Sequence, residues 1–233
     1  MHVVITGASR GIGKELAEHF AKEGADLYLC SRHMDKTIVW QQELMKKYAI
    51  KVTSFNADLG DIEQTKAFAS QLLQATDRID ILINNAGTYE PGSVHNEPEG
   101  QLERILAVNL FSAYHITRAI VPSMIKRKSG HIFNMSSTAA LQAYHNGGSY
   151  SISKFALTGF SKNLREELME HGIKVTTIYP GATMTDSWAE AGIDPLRIMH
   201  TNDLATMIVA ASKLSPQACV EELLIRPLLG DLK

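Results

Sequence analysis

Seven short β-type runs alternate with longer segments of helical period from one end of this chain to the other, and that alternation restricts the fold more than any other feature. The runs are HVVIT (2–6), DLYLCS (26–31), KVTSFN (51–56), DILINN (80–85), GHIFNMS (130–136), KVTTIYP (174–180) and EELLIR (221–226). Between them, patterns with apolar residues returning every three or four positions begin near Gly11, Asp35, Asp61, Gln101, Ser149 and Asn202. Parallel strands joined by right-handed crossovers allow few arrangements. The expectation is therefore an α/β fold, a doubly wound seven-stranded parallel sheet with helices on both faces. No linker, repeat or low-complexity segment interrupts the series, and 233 residues at 45% hydrophobic content suffice for one domain spanning 1–233. Only 181–201 lacks a period, and it reads either as a lid beyond the sixth run or as surface wrapping.

Charge excludes some classes of partner. A formal net charge of -2 leaves no electrostatic footprint for nucleic acid or an anionic membrane. No eighteen apolar residues run together, and the apolar run after Met1 has no charged segment or cleavage site before it, so neither a spanning helix nor a signal peptide is expected. Cys30 and Cys219 match neither a metal spacing nor a disulfide scaffold, and the histidines show no metal pattern. The reading is a cytoplasmic protein with reduced thiols and no metal site.

Directly after the first run comes TGASRGIG (6–13), with glycines at 7, 11 and 13, and then the helical pattern GKELAEHFAKEG. A glycine-rich strand-to-helix turn lets a pyrophosphate approach the backbone while the helix N-terminus offers N–H groups and the positive end of its dipole. Far along the chain, SYSISKFA (149–156) sets Tyr150 and Lys154 four positions apart, on one face of a helix. By itself that pair is unremarkable.

Taken together, these motifs resemble the short-chain dehydrogenase/reductase family. TGASRGIG is followed in order by NNAG (84–87), Asn109 within AVNLFSAY, MSS (135–137), YSISK and YPG (179–181), and Ser137 precedes Tyr150 by the family's thirteen residues. The resemblance covers essentially the whole chain and implies a Rossmann-type fold and hydride transfer between a nicotinamide cofactor and a carbonyl or alcohol. It makes Tyr150 the proton donor in reduction, Ser137 the partner of the substrate oxygen, Lys154 the charge that lowers the phenol's pKa and holds the nicotinamide ribose, and Asn109 the holder of a water leading to solvent. Chemically, an alkoxide forming at the carbonyl needs an acid and a polarising donor, and a cation beside a phenol favours its ionised form.

The same resemblance assigns the cofactor contacts. Gly7, Ser9, Arg10, Gly11, Ile12 and Gly13 form the cradle; Ser31, Arg32, Asp58 and Leu59 surround the adenosine end; Asn85, Ala86, Gly87, Pro180, Gly181 and Thr185, with Tyr150 and Lys154, surround the nicotinamide end. After the second run the sequence reads LYLCSRH, with Ser31 where a carboxylate would bind a free ribose diol and Arg32 next to it. With Arg10, this implies NADP(H) rather than NAD(H). Asp58 suits contact with the adenine amino group or capping of the next helix.

The substrate pocket is expected from 89–94, 141–146 and 182–200, with Ser137, Tyr144, His145, Trp188 and Asp231 as candidate contacts. The pattern is similar to the sepiapterin reductase-like branch, in which an acidic residue near the C-terminus anchors a pterin; here that would be Asp231. Reduction of 3-oxoacyl thioesters on acyl-carrier protein, or of general carbonyls, stays open, whereas a non-catalytic NADP-binding regulator is disfavoured by intact Ser137, Tyr150 and Lys154. Assembly as a homodimer or homotetramer is implied through 101–127 and 150–171, with apolar positions such as Leu110, Phe111 and Phe160 in the contact.

Overall fold

A computed structural model describes residues 1–185 and 192–232. All seven runs are strands: β1 (His2–Thr6), β2 (Asp26–Ser31), β3 (Val52–Asn56), β4 (Ile81–Asn84), β5 (Gly130–Met135), β6 (Ile173–Pro180) and β7 (Glu222–Ile225). They form one parallel sheet in the order β3-β2-β1-β4-β5-β6-β7. The helices are α1 (Gly11–Lys22), α2 (Ile38–Tyr48), α3 (Ile62–Ala75), α4 (Gln101–Leu106), α5 (Ser112–Arg127), α6 (Gly148–Leu168) and α7 (Thr201–Ser212).

Strand alternation divides the core between the two faces. Val3, Ile5, Leu27 and Leu29 point to one side, where Leu16 and Phe20 of α1, Leu44 of α2 and Leu204 and Ile208 of α7 cover them. Val4, Leu82, Ile132 and Val175 point to the other, against Phe68 and Leu72 of α3, Ile116 and Ile120 of α5, and Leu164 and Leu168 of α6. Each such side chain contributes about 1.5–3 kcal/mol by leaving water, which is why the strands are near-continuous apolar runs.

Two helices differ from the expected pattern. The helix expected near Asp35 starts at Ile38, after a 3-10 turn over Met34–Thr37. Asn56 at the end of β3 accepts the backbone N–H groups of Met34 and Asp35 at 2.8 and 3.3 Å, and Gln41 donates to the Met34 carbonyl. These bonds hold the chain in the turn. The helical run from Gln101 is interrupted by a π-turn, Ala107–Phe111, that carries Asn109. By length and composition Gln101–Arg127 could cross a membrane, which corrects the expectation that no helix would qualify; its buried Ile105, Ala113, Ile116, Ile120 and Met124 nevertheless show it used as a core helix.

Asp58 does not cap α3. That part is taken by Asp61, whose carboxylate accepts from the N–H groups of Glu63 and Gln64, while Asp58 accepts from Gly60 in the preceding turn.

Gly13 is where α1 packs hardest on the sheet. A Cβ there would lie 2.6 Å from Asn85 Nδ2 and closer still to the Gly7 carbonyl oxygen. Gly13→Ala must therefore push α1 off the β1 and β4 loops, with an expected loss of about 1–3 kcal/mol and a Tm lowered by several degrees in thermal unfolding.

Candidate active site

At the carboxyl ends of the strands, β1 runs into the glycine turn and on to α1, while β4 runs into the segment from Asn85 to Gly87 and onward to α4 on the opposite face. Thr6 ties the two together: its Oγ1 accepts the backbone N–H groups of Asn85 and Ala86, each at 3.0 Å. Asn85 answers through its side-chain amide, which donates to the carbonyls of Thr6 and Gly7 at 2.9 and 3.2 Å. The Asn85 side chain is thus structural, and the backbone beyond it lines the crevice.

The cradle fits an anion. Arg10, the residue before α1, is extended and offers no side-chain cap, and the first turn of α1 contains no acidic residue. Among the described residues no side chain caps the leading N–H groups of this twelve-residue helix, which leaves them suited to an anion. Thr185 leans over this turn, its Cγ2 standing 3.3 Å from where a Cβ of Gly11 would be. A cavity of about 340 Å³ opens beside it, lined by Gly11, Lys14, Glu15, Met184, Thr185 and Thr201. At the adenosine end, Ser31 is buried with Oγ accepting from the N–H of His33, Leu59 is buried, and Arg10, Arg32 and Asp58 are exposed.

On the β5 side stand the candidate catalytic groups. Ser137, just beyond the strand, stands close enough to the Tyr150 phenol to lower its pKa, and its hydroxyl accepts from the N–H of Ala139 at 3.1 Å. Burial pushes the phenol above its ordinary range, the Ser137 hydroxyl pulls it back, and Tyr89 adds to the rise. One turn along α6, the buried Lys154 places Nζ 2.8 Å from the Met135 carbonyl and 5.7 Å from the centre of the Tyr150 ring. Burial drops its pKa to about 8. Asn109 bonds Thr88 both ways, Oδ1 accepting from its N–H and Nδ2 donating to its carbonyl, and Nδ2 also donates to Ser153 of α6. A Cβ on Gly87 would stand 3.5 Å from Asn109 Oδ1 and 3.6 Å from Lys154 Nζ, so both groups converge on the end of the NNAG segment.

Around the phenol, the Tyr89 ring packs edge-on at 5.0 Å between centroids, and the Tyr144 phenol lies close to those of Tyr89 and Tyr150. Tyr144 is itself pushed above its ordinary range by partial burial and the two neighbouring phenols. His145 is exposed on the same loop. Asp231 packs against Gly181, yet its carboxylate is paired with Arg226 at 3.1 Å. Gly181 donates its N–H to Ile225 of β7, beside Pro180. Trp188 lies outside the described residues. Thr6, Thr88 and Ser153 received no role from the sequence, although Thr6 opens the glycine motif and Thr88 follows NNAG directly.

The family model for short chain dehydrogenase matches residues 1–195. The chain belongs to this family. A sepiapterin reductase from Chlorobaculum tepidum is 28% identical over 239 aligned positions, covering 99% of this chain and 98% of its own. The dehydrogenase/reductase SDR family member 7B of Bos taurus is 35% identical over 79% of this chain, which spans only 58% of that protein's length. Among solved family members, L-sorbose reductase from Gluconobacter frateurii, complexed with NADPH and L-sorbose, superposes with a TM-score of 0.88 at 27% identity, covering 96% of this chain and 94% of its own.

Because the Lys154 ammonium is buried, it gives up its proton far more readily than a surface lysine. In the ligand-free protein its side-chain carbon resonance should titrate with a midpoint near 8, against about 10.4 for exposed lysines. The sign follows for stability: between these two values the unfolded chain binds the extra proton, so this group makes folding more favourable as pH rises through that window. Heteronuclear NMR, with Lys154→Met to assign the resonance, reads the midpoint.

Proposed function

We propose that this short chain dehydrogenase is an NADPH-dependent oxidoreductase that reduces a carbonyl to an alcohol, with Tyr150 as the proton donor. The observation that carries the reading is the convergence of the Tyr150 phenol, influenced by the neighbouring Ser137 hydroxyl, with the Lys154 ammonium buried one turn away and held at 2.8 Å by the Met135 carbonyl. Bound in the crevice, the reduced nicotinamide would supply the hydride. The turn from Gly7 to Gly13, with the α1 N-terminus, would hold the pyrophosphate. Ser31, Arg32, Asp58 and Leu59 would hold the adenosine end, and Asn85, Ala86, Gly87, Pro180, Gly181 and Thr185 the other.

Ser137 polarises the carbonyl oxygen, and Tyr150, kept neutral by its burial, gives that oxygen its proton. Lys154 then stabilises the phenolate. Asn109 has its side chain committed to Thr88 and Ser153, so a water leading protons from solvent would use its backbone carbonyl in the π-turn or the remaining lone pair of Oδ1.

For the substrate we favour the side-chain carbonyl of a pterin, supported by the end-to-end match to the Chlorobaculum tepidum sepiapterin reductase. In this reading Asp231 anchors the ring after parting from Arg226, and Tyr144, His145 and Trp188 line the pocket. The protein acts in the cytoplasm as a homodimer or homotetramer, with the exposed Phe111 of the π-turn covered by the partner copy together with Phe155 of α6, since the expected Leu110 and Phe160 are half-buried and Phe160 packs on the core.

An NADPH oxidation screen across pterins, 3-oxoacyl thioesters and simple diketones tests the reaction, and turnover of none of them would overturn it. With the best substrate, Tyr150→Phe should lower kcat by about 10²–10⁴-fold while NADPH still binds, read by nicotinamide fluorescence. The exposed guanidinium of Arg32 is expected to bind the 2′-phosphate by charge-assisted hydrogen bonds worth about 1.5–3 kcal/mol. Arg32→Ala should therefore cut kcat/KM for NADPH by about tenfold to a hundredfold and leave that for NADH unchanged; equal wild-type values for the two cofactors would remove the NADPH assignment.

A further inference from the structure

The helix that carries Tyr150 and Lys154 has no cap of its own. Gly147 precedes α6 without a side chain to offer, and the first turn contains no acidic residue. The cap arrives from 52 residues earlier in the chain, where Glu97 reaches the buried Ser149: one carboxylate oxygen accepts the Ser149 N–H at 2.7 Å and the other accepts its hydroxyl. Tyr150 is the next residue.

The carboxylate sits in a slot that only glycines leave open. Gly148 has φ +34, and a Cβ there would overlap the Glu97 carboxylate; a Cβ on Gly92 would stand 2.6 Å from Glu97 Cγ. The same two loops are joined twice more. Gly92 donates its N–H to the Asn146 carbonyl at 3.3 Å, and the Ser93 hydroxyl donates to Asn146 Oδ1 at 2.8 Å. A turn in which the N–H groups of Asn96 and Glu97 both bond the Ser93 carbonyl sets Glu97 at the end of its loop. At the other end of that loop is Tyr89, edge-on to the Tyr150 ring.

We propose that Glu97 is a positioning residue for Tyr150. It fixes the first turn of α6 to the 89–97 loop, so that the phenol meets Ser137 on one side and Tyr89 on the other. A carboxylate is suited to this place because it accepts both Ser149 donors at once and opposes the positive end of the α6 dipole. Without it, the first turn of α6 loses its cap and the phenol loses its fixed distance from Ser137. The inference rests on the carbonyl-reductase reading for its effect on rate, but not for its effect on where the phenol sits.

The test uses Glu97→Ala and Glu97→Gln, with Asp80→Ala as a control that removes an ion pair to Arg78 at the opposite end of the sheet. Two quantities are read: the single-turnover rate of NADPH oxidation with the best carbonyl from the screen, and the ¹⁹F resonance of 3-fluorotyrosine at position 150, assigned by its loss in Tyr150→Phe. Glu97→Ala should slow the single turnover by about tenfold to a hundredfold with NADPH affinity unchanged, and should move the Tyr150 resonance by more than its linewidth. Glu97→Gln, whose amide oxygen still accepts the Ser149 N–H, should recover most of the rate. Asp80→Ala should lower Tm and change neither quantity. A Glu97→Ala protein with wild-type rate and resonance, whatever its Tm, overturns the proposal. If wild-type protein reduces no carbonyl, the functional reading falls, and the resonance alone still decides whether Glu97 positions Tyr150.

Discussion

The hydroxyl of Thr6, accepting the backbone N–H groups of both Asn85 and Ala86, joins the two strands between which the candidate site opens. From β1 the chain steps outward to β2 and β3, then returns to place β4 on the other side of β1. The helices that follow β1 and β4 consequently leave toward opposite faces, and a crevice appears between their loops. The Asn85 amide binds back across it to the Thr6 and Gly7 carbonyls. With a side chain at position 13 the same bonds could not form, since α1 would be held away. The glycine turn and the NNAG segment are thus one object made from two distant pieces of sequence.

The five inner strands are buried almost throughout and so read directly as apolar runs, while the partly exposed edge strands β3 and β7 were read from their β-type residues, all with boundaries displaced by only a residue or so: β3 begins at Val52, after Lys51. Helix starts were less legible where a distant side chain intervened. Nothing near Asp35 announces that Asn56 will take two of its neighbourhood's N–H groups and delay α2. The π-turn at Asn109 was invisible for a related reason, because apolar spacing looks the same on either side of one inserted residue. What makes the turn is a pair of bonds to Thr88 across the crevice.

The candidate site divides along the same line. The i,i+4 interval alone puts Tyr150 and Lys154 on one face of α6, whereas Ser137 was legible only through the resemblance to the family's motifs, whose thirteen-residue interval this chain repeats. Glu97 was not legible, because a helix cap supplied from another loop leaves no pattern next to the helix. Asp58 and Asp61 show how closely the local signal can mislead: both precede α3, and the one adjacent to its first turn is the cap.

Burial acts on Tyr150 and Lys154 in the same sense, toward the neutral form of each, and its consequences for the two differ. The phenol, already neutral at physiological pH, moves further from ionisation, and the Ser137 hydroxyl offsets only part of the rise. The amine, at about 8, keeps most of its charge at neutral pH, and its hydrogen-bond acceptor among the described residues is the Met135 carbonyl. A buried ammonium with so few bonds costs stability, and such costs are characteristic of groups arranged for chemistry rather than for folding. The chain alone therefore maintains a protonated acid beside an under-solvated cation. A neutral phenol with a buried ammonium one turn away is the electrostatic arrangement on which the proposed proton donation by Tyr150 rests, because the ammonium offsets the cost of the phenolate that donation would leave.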